Sequence, residues 1–208
     1  MALLKLHVVL VASMFGSSLI TSPQTDSQRR TIEVSMGLEG EVVRHGRVTA
    51  KTGDEIPSIT LHATSARDVD LRKQAQEHSL VLFFYPGDLE GIRYPELAGC
   101  TPQACAFRDS IDEFRKLGAQ VFGVNLHTTA RQQSFVDREH LNFELLSDEA
   151  RELTQAFGIP VWISNSGEEF VDRVTILVRQ GGRITKVFED VKVEGHIEEV
   201  LEALRRAR

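Results

Sequence analysis

The chain has 208 residues, of which 41% are hydrophobic and 26% are charged, a composition typical of one globular domain with a sizeable apolar core. Thirty acidic against twenty-four basic residues give a formal net charge of −6, which disfavours a nucleic-acid-binding protein. With only two cysteines, the chain is not a disulfide-scaffold secreted protein, because that class has many cysteines in a short chain.

The first thirty residues differ in composition from the rest, and residues 1–39 are predicted to be a leader or an N-terminal extension. An apolar stretch at Leu6–Ile20 is followed by a polar one at Thr21–Arg30, an order that resembles a secretory signal peptide. The apolar stretch is too short for a membrane-spanning helix. An export signal, an uncleaved leader and an extension before a start at Met36 remain three alternatives, and we expect the domain itself to comprise residues 40–208.

From residue 40 the chain alternates short apolar runs with amphipathic stretches. Residues 81–85 are strand-favouring and end at Pro86-Gly87, which predicts a buried strand. In Cys105–Leu117 the apolar residues are spaced by threes and fours, which predicts a helix. The pattern then predicts a strand at Gln120–Leu126, a helix at Thr129–His140, a strand at Phe143–Leu146 and a helix from Ser147-Asp148 to Phe157.

The C-terminal part predicts a hairpin and a closing helix. Apolar runs at Val174–Val178 and Ile184–Phe188 flank Gln180-Gly181-Gly182, which is a hairpin signal. His196–Arg206 has the periodicity of an amphipathic helix. Because the chain shows no repeat and no dividing linker, the elements together predict one α/β domain with a mixed central sheet flanked by helices.

The segment Gly99–Asp109 contains both cysteines and opens a predicted helix. Thr101 is expected as its N-cap and Pro102 as its first helical residue. Cys100 would then lie at the helix N-terminus, where free backbone N–H groups and the positive end of the helix dipole favour a thiolate. Such a thiolate is a nucleophile at neutral pH, so the segment predicts chemistry at Cys100.

The second cysteine, Cys105, lies about one and a half turns further along the same helix. In a regular helix the two Cα atoms would be about 8 to 9 Å apart, whereas a disulfide needs less than about 7 Å. The pair can therefore form a bridge only if the first turn unwinds. This geometry predicts a catalytic, cycling disulfide rather than a structural one.

Other interpretations of the cysteines are less favoured. Cys105 as a small buried hydrophobe is the ordinary alternative, although two cysteines at a helix start favour redox function. A zinc site is disfavoured because no histidine lies at ligand spacing, and we expect His127 and His140 to be surface or edge residues. A thioredoxin-type dithiol oxidoreductase is disfavoured because the chain has no Cys-x-x-Cys.

The segment Phe84-Tyr85-Pro86, followed by Gly99–Asp109, resembles a peroxiredoxin, in particular the bacterioferritin comigratory protein or Q-type branch. The resemblance covers about residues 50 to 190. Its further matches, correctly spaced, are Val121-Phe122-Gly123-Val124, Leu145-Leu146-Ser147-Asp148, Phe157-Gly158-Ile159-Pro160 and Arg173-Val174-Thr175-Ile176.

This resemblance implies a thioredoxin-like fold and a thiol peroxidase that reduces hydrogen peroxide and organic hydroperoxides. By analogy, Cys100 would be the peroxidatic cysteine that becomes a sulfenic acid. Cys105 would be the resolving cysteine that forms a disulfide with it, which thioredoxin or a similar dithiol then reduces. Arg173 matches the family's active-site arginine, which stabilises the thiolate and the charge that develops on oxygen.

The chain departs from the family pattern before Cys100. Leu97 occupies the position of the family's threonine, Arg93 occupies that of its proline, and residues 87–98 carry an insertion. Because the missing hydroxyl would orient the thiolate and the peroxide, its absence puts the peroxidase rate in question. The rival hypothesis is therefore a redox sensor, or a degenerate thioredoxin-fold protein whose cysteine pair switches conformation without turnover.

The expected partners are a hydroperoxide and a dithiol reductant, with no nucleic acid and no stable membrane association. We expect no cofactor, because neither a metal-ligand cluster nor a glycine-rich nucleotide loop is present in the sequence. Reduction by thioredoxin requires a reducing compartment, so we expect the protein in the cytoplasm. Export is the alternative if residues 1–22 act as a signal peptide.

Overall fold

The computed structural model describes residues 43–87, 97–164 and 167–207, and the leader predicted at residues 1–39 lies outside this described part. Every described helix and strand belongs to one compact unit, residues 40–208. The strands are β1 (Arg44–His45), β2 (Thr60–Ala63), β3 (Asp68–Asp70), β4 (Ser79–Phe84), β5 (Ala119–Asn125), β6 (Glu144–Ser147), β7 (Val161–Ile163), β8 (Glu169–Val171), β9 (Val174–Arg179) and β10 (Arg183–Phe188). The helices are α1 (Leu71–Glu77), α2 (Cys100–Asp109), α3 (Ile111–Lys116), α4 (Thr129–Glu139), α5 (Glu152–Phe157) and α6 (His196–Arg206).

A seven-stranded sheet forms the centre of the domain, in the order β10-β9-β4-β5-β6-β2-β3. Strands β4, β5 and β6 are parallel, whereas β9 is antiparallel to β4 and β2 is antiparallel to β6. The mixed central sheet predicted from the sequence is therefore confirmed. A smaller antiparallel sheet contains β1, β7 and β8.

Both faces of β4, an interior strand of this sheet, are covered, which explains its apolar sequence. Leu80, Leu82 and Phe84 of β4 belong to an apolar cluster that also includes residues of α1 and α5. Val81 and Phe83 point to the opposite face, into a second cluster with residues of α2, α3, α4 and α6. Burial on both sides therefore fixes the position of the end of β4.

The helix predicted at Cys105–Leu117 is divided and begins earlier than expected. Helix α2 ends at Asp109, Ser110 adopts a non-helical conformation, and α3 follows. At the other end, the N-cap is Gly99 and not Thr101, which lies inside the first turn. The Gly99 carbonyl accepts the first helical bond from the Gln103 N–H at 3.0 Å, so no side-chain cap is used. Cys100 is consequently the first helical residue.

Within the described ranges, no helix has both the length and the apolar character needed to cross a membrane.

Candidate active site

Cys100 lies at the N-terminal end of α2, against the second apolar cluster. Its residue surface is 0% exposed, and it forms no disulfide. A sulfur at the start of a helix is close to backbone N–H groups that have no helical partner, and to the positive end of the dipole. In general, this position at a helix start favours the thiolate form of a cysteine.

Arg173 supplies a positive charge directly at this sulfur. It lies between β8 and β9, and β9 pairs with β4 so that Val174 is opposite Phe84. The arginine therefore lies beside the end of β4, and its Nη2 atom donates a hydrogen bond to Cys100 Sγ at 3.0 Å. A guanidinium at this distance stabilises negative charge on the sulfur and on an oxygen bound next to it.

Gln103 holds the other end of the Arg173 guanidinium, a role that was not predicted from the sequence. Its Oε1 atom accepts a hydrogen bond from Arg173 Nη1 at 2.6 Å, and only 1% of the residue is exposed. Gln103 follows Cys100 by three residues, so both side chains lie on one face of α2. This spacing is the feature of the sequence that could have drawn attention to Gln103. A glutamine at that position does not by itself indicate an arginine partner.

Gly99 permits the close approach of the arginine. A Cβ atom at this position would lie 3.1 Å from Arg173 Nη2 and 2.9 Å from Val193 Cγ2. Because such contacts force the neighbours to shift, a larger residue before Cys100 would disturb the arginine–sulfur contact.

Cys105 has a different environment from Cys100. It is half-buried and likewise forms no disulfide, and its Sγ atom lies 3.8 Å from Glu139 Oε2 at the end of α4. Burial raises the pKa of the Cys105 thiol, the Glu139 and Asp109 carboxylates raise it further, and Arg108 opposes them. These effects together favour the neutral thiol form of Cys105.

The two cysteines lie in one continuous helix and do not form a disulfide. Regular helix geometry separates Cα atoms five residues apart by about 8 to 9 Å, so the expectation that no disulfide fits in the folded helix agrees with the structure. The structure thus brings Cys100 and Arg173 together and keeps Cys105 apart.

The C-terminal half of α2 is attached to the end of α4. Arg108 Nη1 donates a hydrogen bond to the Glu139 carbonyl at 2.6 Å, and Asn142 Nδ2 donates one to the Arg108 carbonyl at 3.2 Å. Both bonds lie beyond Cys105 in α2, so they fix the part of the helix that follows it.

An open cavity of about 470 Å³ lies beside the arginine. It is lined by Arg44, Pro86, Asp172, Arg173, Glu189, Asp190, Val191 and Lys192. Arg44 Nε donates to Asp172 Oδ1 at 2.9 Å along this wall. The cavity is open to solvent and reaches the Arg173 side chain.

The departures from the family pattern are only partly described. Leu97 is buried in the apolar cluster that contains Cys100, so an apolar side chain occupies the position of the threonine. Arg93 and most of the insertion at residues 87–98 lie outside the described residues.

The expectation for His127 was wrong, and that for His140 is confirmed. His127 is buried because it packs beside Gly87 at the end of β4 and edge-on to Phe170, with ring centroids 5.8 Å apart. His140 is exposed and caps α4 in a left-handed conformation. Among the residues described here, no three His, Cys, Asp or Glu side chains are grouped so that they could hold a metal ion.

Comparison with known proteins matches residues 52–187 of the chain to the AhpC/TSA family. The chain is 32% identical over 160 residues to Peroxiredoxin Bcp of Bacillus subtilis, an alignment that covers 76% of this chain and 97% of that protein. It is 33% identical over 166 residues to the chloroplastic Peroxiredoxin Q of Sedum lineare, covering 78% and 83% of the two chains. Among solved structures, a cysteine-to-serine mutant of Xylella fastidiosa PrxQ is similar with a TM-score of 0.66 at 26% identity, covering 76% of this chain and 96% of that chain.

Proposed function

Because the chain belongs to the AhpC/TSA family and is a peroxiredoxin, a thiol peroxidase, we propose that Cys100 is the cysteine that attacks the hydroperoxide. The observation that carries this assignment is the 3.0 Å contact between Arg173 Nη2 and Cys100 Sγ at the start of α2. Cys105 instead has a carboxylate beside its sulfur, and its raised pKa favours the neutral thiol. The two cysteines therefore suit different steps.

In the first step, the Cys100 thiolate attacks one oxygen of the hydroperoxide. An S–O bond forms, the O–O bond breaks, and the departing alkoxide or hydroxide takes a proton to leave as alcohol or water. Cys100 is oxidised to a sulfenic acid and the peroxide is reduced. Arg173 supports this step because its guanidinium stabilises both the thiolate and the charge on the departing oxygen.

In the second step, the Cys105 thiol attacks the sulfenic sulfur, and a Cys100–Cys105 disulfide and water are formed. The first turn of α2 must unwind for this step, since the intact helix holds the sulfurs too far apart. An external dithiol then reduces the disulfide by exchange. We assign this role to thioredoxin or a similar protein and the peroxidase domain to residues 40–208. The site of action is the cytoplasm, because this recycling needs a reducing compartment.

The test is NADPH oxidation in an assay coupled to thioredoxin and its reductase, with hydrogen peroxide as substrate. The wild-type protein is expected to turn over many times and Cys100→Ser not at all. Cys105→Ser is expected to consume one equivalent of peroxide and then to stop. Turnover by Cys100→Ser would refute the assignment, and a wild-type protein that forms the disulfide without turnover would support the redox-sensor alternative.

A further inference from the structure

We propose that Glu139 is the catalytic base of the second step: it accepts the Cys105 thiol proton as the Cys105 sulfur attacks the Cys100 sulfenic acid. This inference rests on the proposed function. It adds a residue from α4 to a reaction whose two cysteines both lie on α2.

The contact itself is direct. Glu139 Oε2 lies 3.8 Å from Cys105 Sγ, a distance at which a thiol donates a weak hydrogen bond to a carboxylate. The second oxygen, Oε1, accepts a hydrogen bond from Arg138 Nε at 3.0 Å, so the carboxylate is held in one orientation. Its side chain is 19% exposed. A mostly buried carboxylate with one oxygen already bound directs the other towards the thiol.

The surroundings of α2 keep this contact while the helix opens. Arg108 and Asn142 attach the end of α2 to the end of α4, and both hydrogen bonds lie on the C-terminal side of Cys105. In contrast, the N-terminal turn is held at its side chains by the contacts among Cys100, Gln103 and Arg173. Oxidation of Cys100 replaces the thiolate that Arg173 stabilises. We therefore infer that the Cys100 end moves towards Cys105, which stays beside Glu139.

The reaction of Cys105 with the Cys100 sulfenic acid needs no further reactant. The Cys105 S–H bond breaks and its proton passes to a Glu139 oxygen, while the sulfur electron pair forms the S–S bond. The S–O bond of the sulfenic acid breaks, and the departing hydroxide takes the proton from Glu139 and leaves as water. Glu139 ends as the carboxylate, ready for the next cycle.

The charges around the thiol make a base necessary. The charged groups that act on Cys105 are Arg108 and Asp109 of its own helix and Glu139 from α4. The net effect of burial and these three charged groups is to raise the pKa of the Cys105 thiol. Little thiolate is therefore present at neutral pH. A reaction that needs the thiolate must therefore remove the proton as the attack proceeds, and the only described group within hydrogen-bond distance of Cys105 Sγ that can take it is Glu139.

The test separates the two steps in the full-length protein by rapid mixing with one equivalent of hydrogen peroxide. Trapping the sulfenic acid with dimedone measures the first step, in which the Cys100 thiol is lost. Loss of the second titratable thiol, that of Cys105, measures the second step in a separate sample without dimedone. Each rate is recorded from pH 5.5 to pH 9 for the wild type, Glu139→Gln and Asp137→Asn. Asp137 is the matched control because it is an exposed acid on the same helix, hydrogen-bonded by Gln133.

We expect Glu139→Gln to slow disulfide formation about tenfold at pH 7. General-base catalysis typically contributes about 100-fold or more, and loss of a repulsive carboxylate, which eases thiolate formation, offsets part of it. The variant rate should rise with pH across the whole range, while Asp137→Asn matches the wild type.

Two outcomes overturn the proposal. An unchanged rate and pH profile in Glu139→Gln would show that the carboxylate does not act in this step. A faster rate would show that it only suppresses the thiolate. Because sulfenic acid formation reports the proposed role of Cys100 and also the folding of each variant, failure of the proposed function appears in the first step, whereas failure of this inference appears in the second step alone.

Discussion

Arg173 and Cys100 are 73 residues apart in the chain, yet the arginine donates a hydrogen bond to the sulfur at 3.0 Å. The pairing of β4 with β9 explains the contact, since it places Val174 opposite Phe84 at the end of β4. Helix α2 is the next helix or strand described after β4 in the chain. The sheet therefore brings the arginine next to the sulfur although the two residues are far apart in the chain.

Replacing Arg173 with glutamine should slow sulfenic acid formation about 100- to 1000-fold, because one charged donor to the reacting atoms is lost. The measurement is the second-order rate of peroxide consumption in a stopped-flow experiment at pH 7. Disulfide formation from the sulfenic acid should change far less, since Arg173 stabilises the reactants of the first step.

Arg151→Gln is the matched control for this change. Arg151 is also a partly exposed arginine paired with a neighbouring element, in this case with Glu169 of β8. Its variant should retain the wild-type rate. Equal rates for the Arg173 variant and the wild type would show that the guanidinium contributes nothing to the peroxide reaction.

Gln103 should act through Arg173. Replacing it with leucine removes the acceptor 2.6 Å from Arg173 Nη1 and should lower the rate of the first step about tenfold, in line with the loss of a hydrogen bond to a charged group. Gln103→Asn keeps an uncharged amide acceptor on the same face of the helix and should retain more of the rate than the leucine variant does. A role in packing alone would give the opposite order, because leucine is the better apolar substitute in this buried position.

The sequence predicted the elements whose periodicity is strong. Strand β4 and the hairpin of β9 and β10 follow apolar runs, and α6 buries five residues on one face, so all were predictable. Helix α1 was missed because only Leu71 and Ala75 are buried, which is too short a pattern to recognise. Strands β7 and β8 were also missed, because a strand of three residues is too short to show a recognisable pattern.

For the site, the sequence could predict the chemistry but not all of its contacts. Two cysteines at a helix start and the spacing of the flanking motifs indicated Cys100, Cys105 and Arg173. Gln103 and Glu139 have no such signal, because their importance comes only from which atoms the folded chain places beside them. The N-cap prediction failed for a related reason: a threonine is a good capping residue, but the helix already starts at Cys100, so the cap position falls on the glycine before it.

Leu97→Thr tests the departure from the family's threonine. If a hydroxyl at this position orients the thiolate and the peroxide, the variant should react faster with hydrogen peroxide than the wild type does. The same change removes a buried leucine and buries a hydroxyl, so the free energy of unfolding should fall by about 2 to 4 kcal/mol. Peroxide kinetics and urea unfolding measure the two effects separately.

Leu97→Ala distinguishes the hydroxyl from the loss of bulk. Alanine should destabilise the protein by a similar amount without any gain in rate. An unchanged or slower rate in Leu97→Thr would show that this site does not use a hydroxyl at position 97 and that another group fills the role.

His196 should make the stability of the domain depend on pH. It is buried at the start of α6, and its Nε2 atom forms a 2.9 Å hydrogen bond with Thr175 Oγ1. Burial lowers the pKa of His196 below its ordinary value of 6.5, and Glu199 offsets only part of this effect. The unfolded chain therefore binds a proton that the folded chain excludes, so the free energy of unfolding is at its full value above pH 6.5 and falls as the pH decreases below it.

Urea unfolding between pH 7.5 and pH 5 measures this contribution. His196→Gln keeps a polar group near Thr175 but cannot titrate, so it should be less stable at pH 7.5 and should lose less stability than the wild type on acidification. His45→Gln is the control, since His45 is exposed on β1 and its variant should follow the wild-type curve. Parallel curves for His196→Gln and the wild type would mean that other groups cause the acid sensitivity, because only a histidine that is neutral in the folded state can give the difference in slope.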